Sequence, residues 1–240
     1  MHATLLIKNI SWLYTCNKEA EVLQNAYIAL YHDQIIAIGQ DSYKELLDPC
    51  TRIIDARGEI VVPGFIDCNF IGSRKELSGD KIRDEKNALY SMYKNGILTV
   101  LNQKRKEQDL KQDFLIREVE SEIPILSYTD DLSQFVDKDF CLSCCFGRYE
   151  KEYASSMQPI AYDLLNLFHV EPTKILCAMT SIPANAFGLD DRGSIEVGKR
   201  GDLLVIHAKD LDTFFRAIGN SSIHRIVKNG IPVYPDIIRC

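Results

Sequence analysis

The feature that most restricts the fold is a change of pattern along the chain, with strand-type sequence at both ends and strand–helix alternation between them. Near the N-terminus, Tyr27-Ile28-Ala29-Leu30-Tyr31 and Ile35-Ile36-Ala37-Ile38 flank the short His32-Asp33-Gln34 segment, so they predict a hairpin. Ile53-Ile54-Asp55 and Glu59-Ile60-Val61-Val62 continue the sheet until Pro63-Gly64 breaks it. Near the C-terminus, Asp202 to Ile206 reads as a buried strand. Ile223 to Val227 pairs with Ile231 to Tyr234 across Asn229-Gly230, a turn in which both positions tolerate positive φ.

The middle follows another period. Leu89, Met92 and Tyr93 share one face of a helix predicted over Asp84 to Asn95, and Gly96 suits its left-handed C′ position. Ile97 to Leu101 then reads as a strand, Gln108 to Ser121 as a charged surface helix, and Ile123 to Leu126 as a strand. Phe140 to Phe146 reads as another strand. Ala161, Leu164, Leu165 and Phe168 form the stripe of an amphipathic helix, Pro172 suits the first turn of the next, and Pro183 interrupts or restarts it. Such alternation predicts parallel βα units.

Composition narrows the function classes. A net charge of −6 without a basic run argues against nucleic acid as a partner, because phosphate binding needs concentrated positive surface. No apolar run approaches the roughly 20 residues that span a bilayer, and the N-terminal stretch lacks a basic leader and cleavage site. A cytoplasmic protein with no membrane partner is expected. Cys16, Cys50, Cys68, Cys141, Cys144, Cys145, Cys177 and Cys240 are scattered through apolar segments, which predicts reduced, buried thiols.

Three blocks carry a resemblance to a known family. They are Val62-Pro63-Gly64-Phe65-Ile66-Asp67, Asn95-Gly96-Ile97-Leu98-Thr99-Val100, and the run from Ala184-Asn185-Ala186 through Gly193-Ser194-Ile195-Glu196-Val197-Gly198-Lys199 to Asp202-Leu203-Leu204-Val205. Together they resemble the amidohydrolase superfamily of metal-dependent hydrolases. Asp67-Cys68, Gly72-Ser73-Arg74 and Ser156-Met157-Gln158 make the chain most similar, within it, to the imidazolonepropionases, ring-opening enzymes of histidine degradation. The resemblance implies an α/β fold: a (β/α) barrel plus a small β-sandwich built from both chain ends. With residues 1–62 and 192–240 in the sandwich, residues 63–191 remain for the barrel, about half of the roughly 250 in a typical eightfold barrel. A truncated barrel remnant is expected, with the central strands omitted.

In that superfamily an HxH pair ends the first barrel strand, further ligands come from central strands, and an aspartate ends the last. Hydrolysis needs an ion held by several N or O ligands with one open position, so that bound water ionises near ~7. Where the resemblance puts HxH, this chain has Asn69 and Ile71, and no histidine lies between His32 and His169. Asn is a poor transition-metal ligand and Ile is none. Spacing from Ser156-Met157-Gln158 puts Cys145 at the aspartate position, whereas a rival alignment through Ser127-Tyr128-Thr129-Asp130 retains Asp130 as a surviving carboxylate. Cys141, Cys144 and Cys145 form a CxxCC cluster. Thiolates bind zinc well, but the cluster reads as a cysteine-rich core strand, because free cysteine is among the most buried residue types and no second CxxC or histidine motif accompanies it; adjacent Cys144 and Cys145 also face opposite sides of a strand. His207 and His224 read as surface or core residues of the sandwich. The resemblance matches Arg74 to an arginine that binds the substrate carboxylate, although Arg74-Lys75-Glu76-Leu77 also reads as a polar loop.

Two functions follow from the resemblance. The first is an amidohydrolase-like protein that has lost metal-dependent hydrolysis, holds no cofactor and has a structural or regulatory role. The second is an active hydrolase acting on C–N bonds of a cyclic amide such as imidazolonepropionate, with zinc or iron on non-standard ligands. A relic reading frame without a selected function is a third possibility. A shortened barrel leaves strand edges that a second copy or a partner subunit is expected to cover.

Overall fold

The structure, a computed structural model, describes residues 1–70, 80–102, 113–116, 121–127, 130–144, 155–219 and 221–234. In chain order the strands and helices are β1 (Leu5–Tyr14), β2 (Val22–Tyr31), β3 (Gln34–Gly39), β4 (Arg52–Asp55), β5 (Ile60–Pro63), β6 (Phe65–Phe70), α1 (Lys81–Lys94), β7 (Ile97–Asn102), β8 (Asp113–Ile116), β9 (Ile125–Leu126), β10 (Cys141–Leu142), α2 (Gln158–Asn166), α3 (Pro172–Met179), α4 (Ser181–Ala186), β11 (Leu203–Ile206), α5 (Leu211–Arg216), β12 (Ile223–Lys228) and β13 (Ile231–Tyr234). They divide into two compact units: Met1–Gly64 with Leu189–Cys240, and Phe65–Gly188.

The first unit is a mixed eight-stranded sheet ordered β13-β12-β11-β5-β1-β2-β3, with β4 also paired to β1. Both hairpins anticipated from the sequence form. His32 takes φ 52° in the β2–β3 turn, and Asn229 and Gly230 take φ 52° and 72° in the β12–β13 turn. The two turns touch, because a Cβ on Gly230 would overlap the His32 carbonyl oxygen. Strand β1 changes partner midway. Leu5 to Lys8 pair with β4, Trp12 and Leu13 pair with β5, and the ladder with β2 shifts register between Ile7 and Ile10. Asn9 sits in that shift at φ 56° and donates its side-chain amide to Asp55 Oδ1 at 3.0 Å.

Backbone bonds from Ile35 N to Lys199 O and from Gly198 N to Ile35 O, both 2.8 Å, tie β3 to the segment preceding β11. A Gln34–Arg200 bridge adds to them. These contacts occupy backbone groups at the start of β3, the strand at the edge of the sheet. Leu5, Ile7, Ile10, Leu13, Ile28, Leu30, Val61, Leu203, Val205 and Val227 form one buried cluster within this sheet. Each such side chain contributes about 1.5–3 kcal/mol when fully removed from water. Ala3, Leu6 and Ala29 form a second cluster, covered by Tyr43, Leu46 and Leu47 around a single 3-10 turn.

The second unit contains two parallel sheets among its described residues, β6-β7-β8 and β10-β9. Strand β6 is buried at every position except the half-buried Asn69, as expected of a parallel strand covered on both faces. Helix α1 buries Leu89, Met92 and Tyr93 and is followed by a turn at Gly96, φ 85°. Helices α3 and α4 pack on β6 and β10. They are separate helices because Pro183 has no N–H to continue the ladder, and Thr180 between them turns to φ −136°, ψ −84°.

The expected helix over Gln108 to Ser121 requires correction, because within it Asp113 to Ile116 form β8, which pairs with Thr99 to Asn102 of β7. Phe114-Leu115-Ile116 is a three-residue apolar run. Its pairing with β7 outweighs the helical spacing of Leu110, Phe114 and Val119. Among the described cysteines, Cys16, Cys68, Cys141 and Cys144 are buried as thiols, whereas Cys50 is exposed and Cys177 half-buried. No described helix is long and apolar enough to cross a membrane.

Candidate functional site

The second unit brings β6 to β10 through one carboxylate. Asp67, fully buried within β6, accepts from Ser143 Oγ at 2.6 Å and from the backbone N of Asn69 at 3.0 Å on Oδ1. Its Oδ2 accepts from the backbone N and the Sγ of Cys144, each at 2.9 Å. Ser143 and Cys144 follow β10 directly and are themselves buried. A carboxylate offers about four lone-pair sites. Here four protein donors fill them. The side chain therefore joins strands belonging to two separate hydrogen-bonded sheets, 76 and 77 residues apart in sequence.

Local folding explains the arrangement. Asn69 N reaches back to the side chain two residues earlier, a self-bonding turn that Asp favours. On the facing strand, Cys141 N donates to Pro124 O and Ser143 N to Leu126 O, which holds Ser143 and Cys144 at the end of the β9–β10 pair. The half-buried Asn69 thus contributes its backbone to the cluster.

Asp130 is engaged elsewhere. Its Oδ2 accepts from Ser127 N at 2.7 Å and Ser127 Oγ at 3.0 Å, closing the turn after β9. Asp131 caps the following 3-10 turn. The Ser133 hydroxyl, and then the Gln134 amide, hold its carboxyl below the usual 3.8. The adjacent acids are thus turn and cap residues. Ile71, Arg74 and Cys145 lie outside the described residues, as does the Gly72-Ser73-Arg74 motif, whereas Met157 is buried at the start of α2.

The described side chains do not fit a hydrolytic metal centre. Asp67 has its acceptor positions taken, Cys144 donates its thiol to Asp67, and Asn69 is a poor ligand. Among the described residues no group of three or more His, Cys, Asp and Glu side chains could hold a metal ion. What the cluster does chemically is hold two sheets together in the buried interior, where hydrogen bonds to a carboxylate are stronger than neutral ones.

The resemblance puts the ligand positions at Asn69 and Ile71, two and four residues beyond Asp67. An available signal was the acid itself. Phe65-Ile66-Asp67-Cys68 is a buried-type run, and a carboxylate there needs several donors.

Comparison with known proteins agrees with this architecture. The amidohydrolase family profile matches residues 147–233. Imidazolonepropionase of Fusobacterium nucleatum subsp. nucleatum is 36% identical over 77 residues, 28% of this chain and 19% of that protein. The enzyme of Caldanaerobacter subterraneus subsp. tengcongensis is 39% identical over 77 residues, 28% of this chain and 18% of its own length. The matches therefore span about a fifth of these relatives. Among solved structures, an amidohydrolase from a Sargasso Sea environmental sample aligns with TM-score 0.73 at 12% identity, covering 97% of this chain and 93% of that one. An enamidase of the amidohydrolase superfamily aligns with TM-score 0.69 at 14% identity, covering 95% of each. The chain resembles the amidohydrolase superfamily in both sequence and fold, with its sequence similarity directed to the imidazolonepropionases.

Proposed function

We propose that this amidohydrolase-like chain has lost metal-dependent hydrolysis and serves a structural or regulatory role, with residues 63–191 as an incomplete (β/α) barrel and the joined chain ends as its β-sandwich companion. The observation that carries the reading is Asp67. Beside the position where the family pattern begins its ligands, the buried carboxylate spends its four acceptor sites on Asn69, Ser143 and Cys144. Strand edges left by an incomplete barrel would be covered by a second copy, so the reading includes a homo-oligomer, in the cytoplasm.

The test is elemental analysis of the purified chain together with a ring-opening assay on imidazolonepropionate. Substoichiometric zinc and iron with no turnover above background is the expected result. Stoichiometric metal with turnover that Cys145→Ala abolishes would establish the second reading, an active hydrolase of cyclic-amide C–N bonds. That second reading is favoured by the 36–39% identity to imidazolonepropionases. Light scattering on the eluting protein tests the oligomer, and a strictly monomeric, well-folded chain would remove it.

A further inference from the structure

The first unit holds a different constellation. Glu59, just before β5, has a side chain only 10% exposed. Nδ1 of His224 on β12 lies 2.8 Å from its Oε2 and 2.9 Å from its Oε1. Nδ1 of His207, following β11, lies 2.8 Å from Oε1. The three residues line an open surface groove together with Arg57, Ser222 and Tyr234.

A buried carboxylate facing Nδ1 fixes an imidazole as its Nδ1–H tautomer and leaves the Nε2 lone pair free, which is the orienter-and-base half of a hydrolytic triad. His224 is the better placed of the two rings, since both oxygens of Glu59 hold it and its side chain is 37% exposed against 83% for His207. Arg57 lies on the wall of the same groove.

We propose that this groove is a metal-free acyl-hydrolysis site for small carboxylic esters, with His224 as general base and Glu59 as the residue that positions it. Nε2 takes a proton from water as the water oxygen bonds to the acyl carbon. The ester C–O bond then breaks, and the departing alkoxide takes the proton from Nε2. The sum is addition of water, with the base regenerated and no oxidant or reductant involved. This site is independent of Asp67 and of the reading given above for the second unit.

The experiment uses the full chain with p-nitrophenyl acetate in the presence of EDTA, followed from pH 5 to 9. Hydrolysis per protein molecule should exceed that of free imidazole at equal concentration by about 100-fold. His224→Ala should lose that excess and recover part of it on adding imidazole. Glu59→Gln should lower kcat and alter the pH profile more than it raises KM, with Glu59→Asp partly restoring both. The far-UV CD and melting temperature of every variant are compared with the parent. A parent rate equal to that of free imidazole, or a His224→Ala variant that folds and keeps the parent rate, would overturn the proposal. Activity removed by EDTA would overturn it too, and would point instead to metal-dependent hydrolysis.

Discussion

Replacing Asp67 by Asn keeps the side-chain shape and exchanges one acceptor oxygen for an NH2 donor. If the NH2 replaces Oδ2, it faces two donors, the backbone N and the thiol of buried Cys144. If it replaces Oδ1, the Ser143 hydroxyl can rotate to accept, leaving only the backbone N of half-buried Asn69 without its acceptor. The second orientation is the cheaper. One unmet donor costs about 1–3 kcal/mol, and the remaining bonds lose the strengthening that a carboxylate gives, so the expected destabilisation is about 2–3 kcal/mol. With a urea m-value of about 2 kcal/mol per molar, the midpoint should fall by about 1–1.5 M. Ellipticity at 222 nm is the appropriate probe, since α1 to α4 all belong to Phe65–Gly188. Trp12, the chain's single tryptophan, lies in β1 of the other unit, so its fluorescence shows whether both units lose structure together. A variant within about 0.5 kcal/mol of the parent would refute the view that Asp67 joins the two sheets.

Two further outcomes concern Gly230 and Arg192, both in the first unit. Gly230→Ala should destabilise by more than Gly188→Ala, although both sites have positive φ. A Cβ at 230 overlaps the His32 carbonyl, while nothing lies within 4 Å of one at 188, where only the left-handed cost of about 1–2 kcal/mol applies. Equal thermal shifts for the two would contradict the contact between the β2–β3 and β12–β13 turns. Arg192→Met should show a pH-dependent cost. The Arg192 side chain bonds both oxygens of Asp191 at 2.8 and 2.9 Å and holds its carboxyl below the usual 3.8. A depressed carboxyl contributes stability above its unfolded value and loses it as pH falls through the folded one. The gap between parent and variant should therefore narrow in urea melts below about pH 3.8, and a gap constant down to pH 2 would dismiss the ion pair as its cause.

Sequence alone determined the elements whose cause is local. The Asn229-Gly230 hairpin, the burial of Leu89, Met92 and Tyr93 on α1, and the helix opening at Pro172 depend on turn chemistry, periodicity and proline geometry within a few residues. Tertiary structure decided whatever depends on distant partners. The segment at Asp113 became a strand because β7 offered it a ladder. Strand β1 divides its length between β4 and β5, a choice that no period along the chain expresses. Asn69 and Asp130 could be singled out from spacing, yet only the fold shows their bonds to Asp67 and Ser127. Glu59, His207 and His224 meet across 148 and 165 residues, and each histidine alone reads as ordinary surface or core. Asp67 follows the same rule. A buried acid announces in sequence that it needs donors, but Ser143 and Cys144 follow a strand two residues long, too short to carry a pattern, and chain folding alone delivers them.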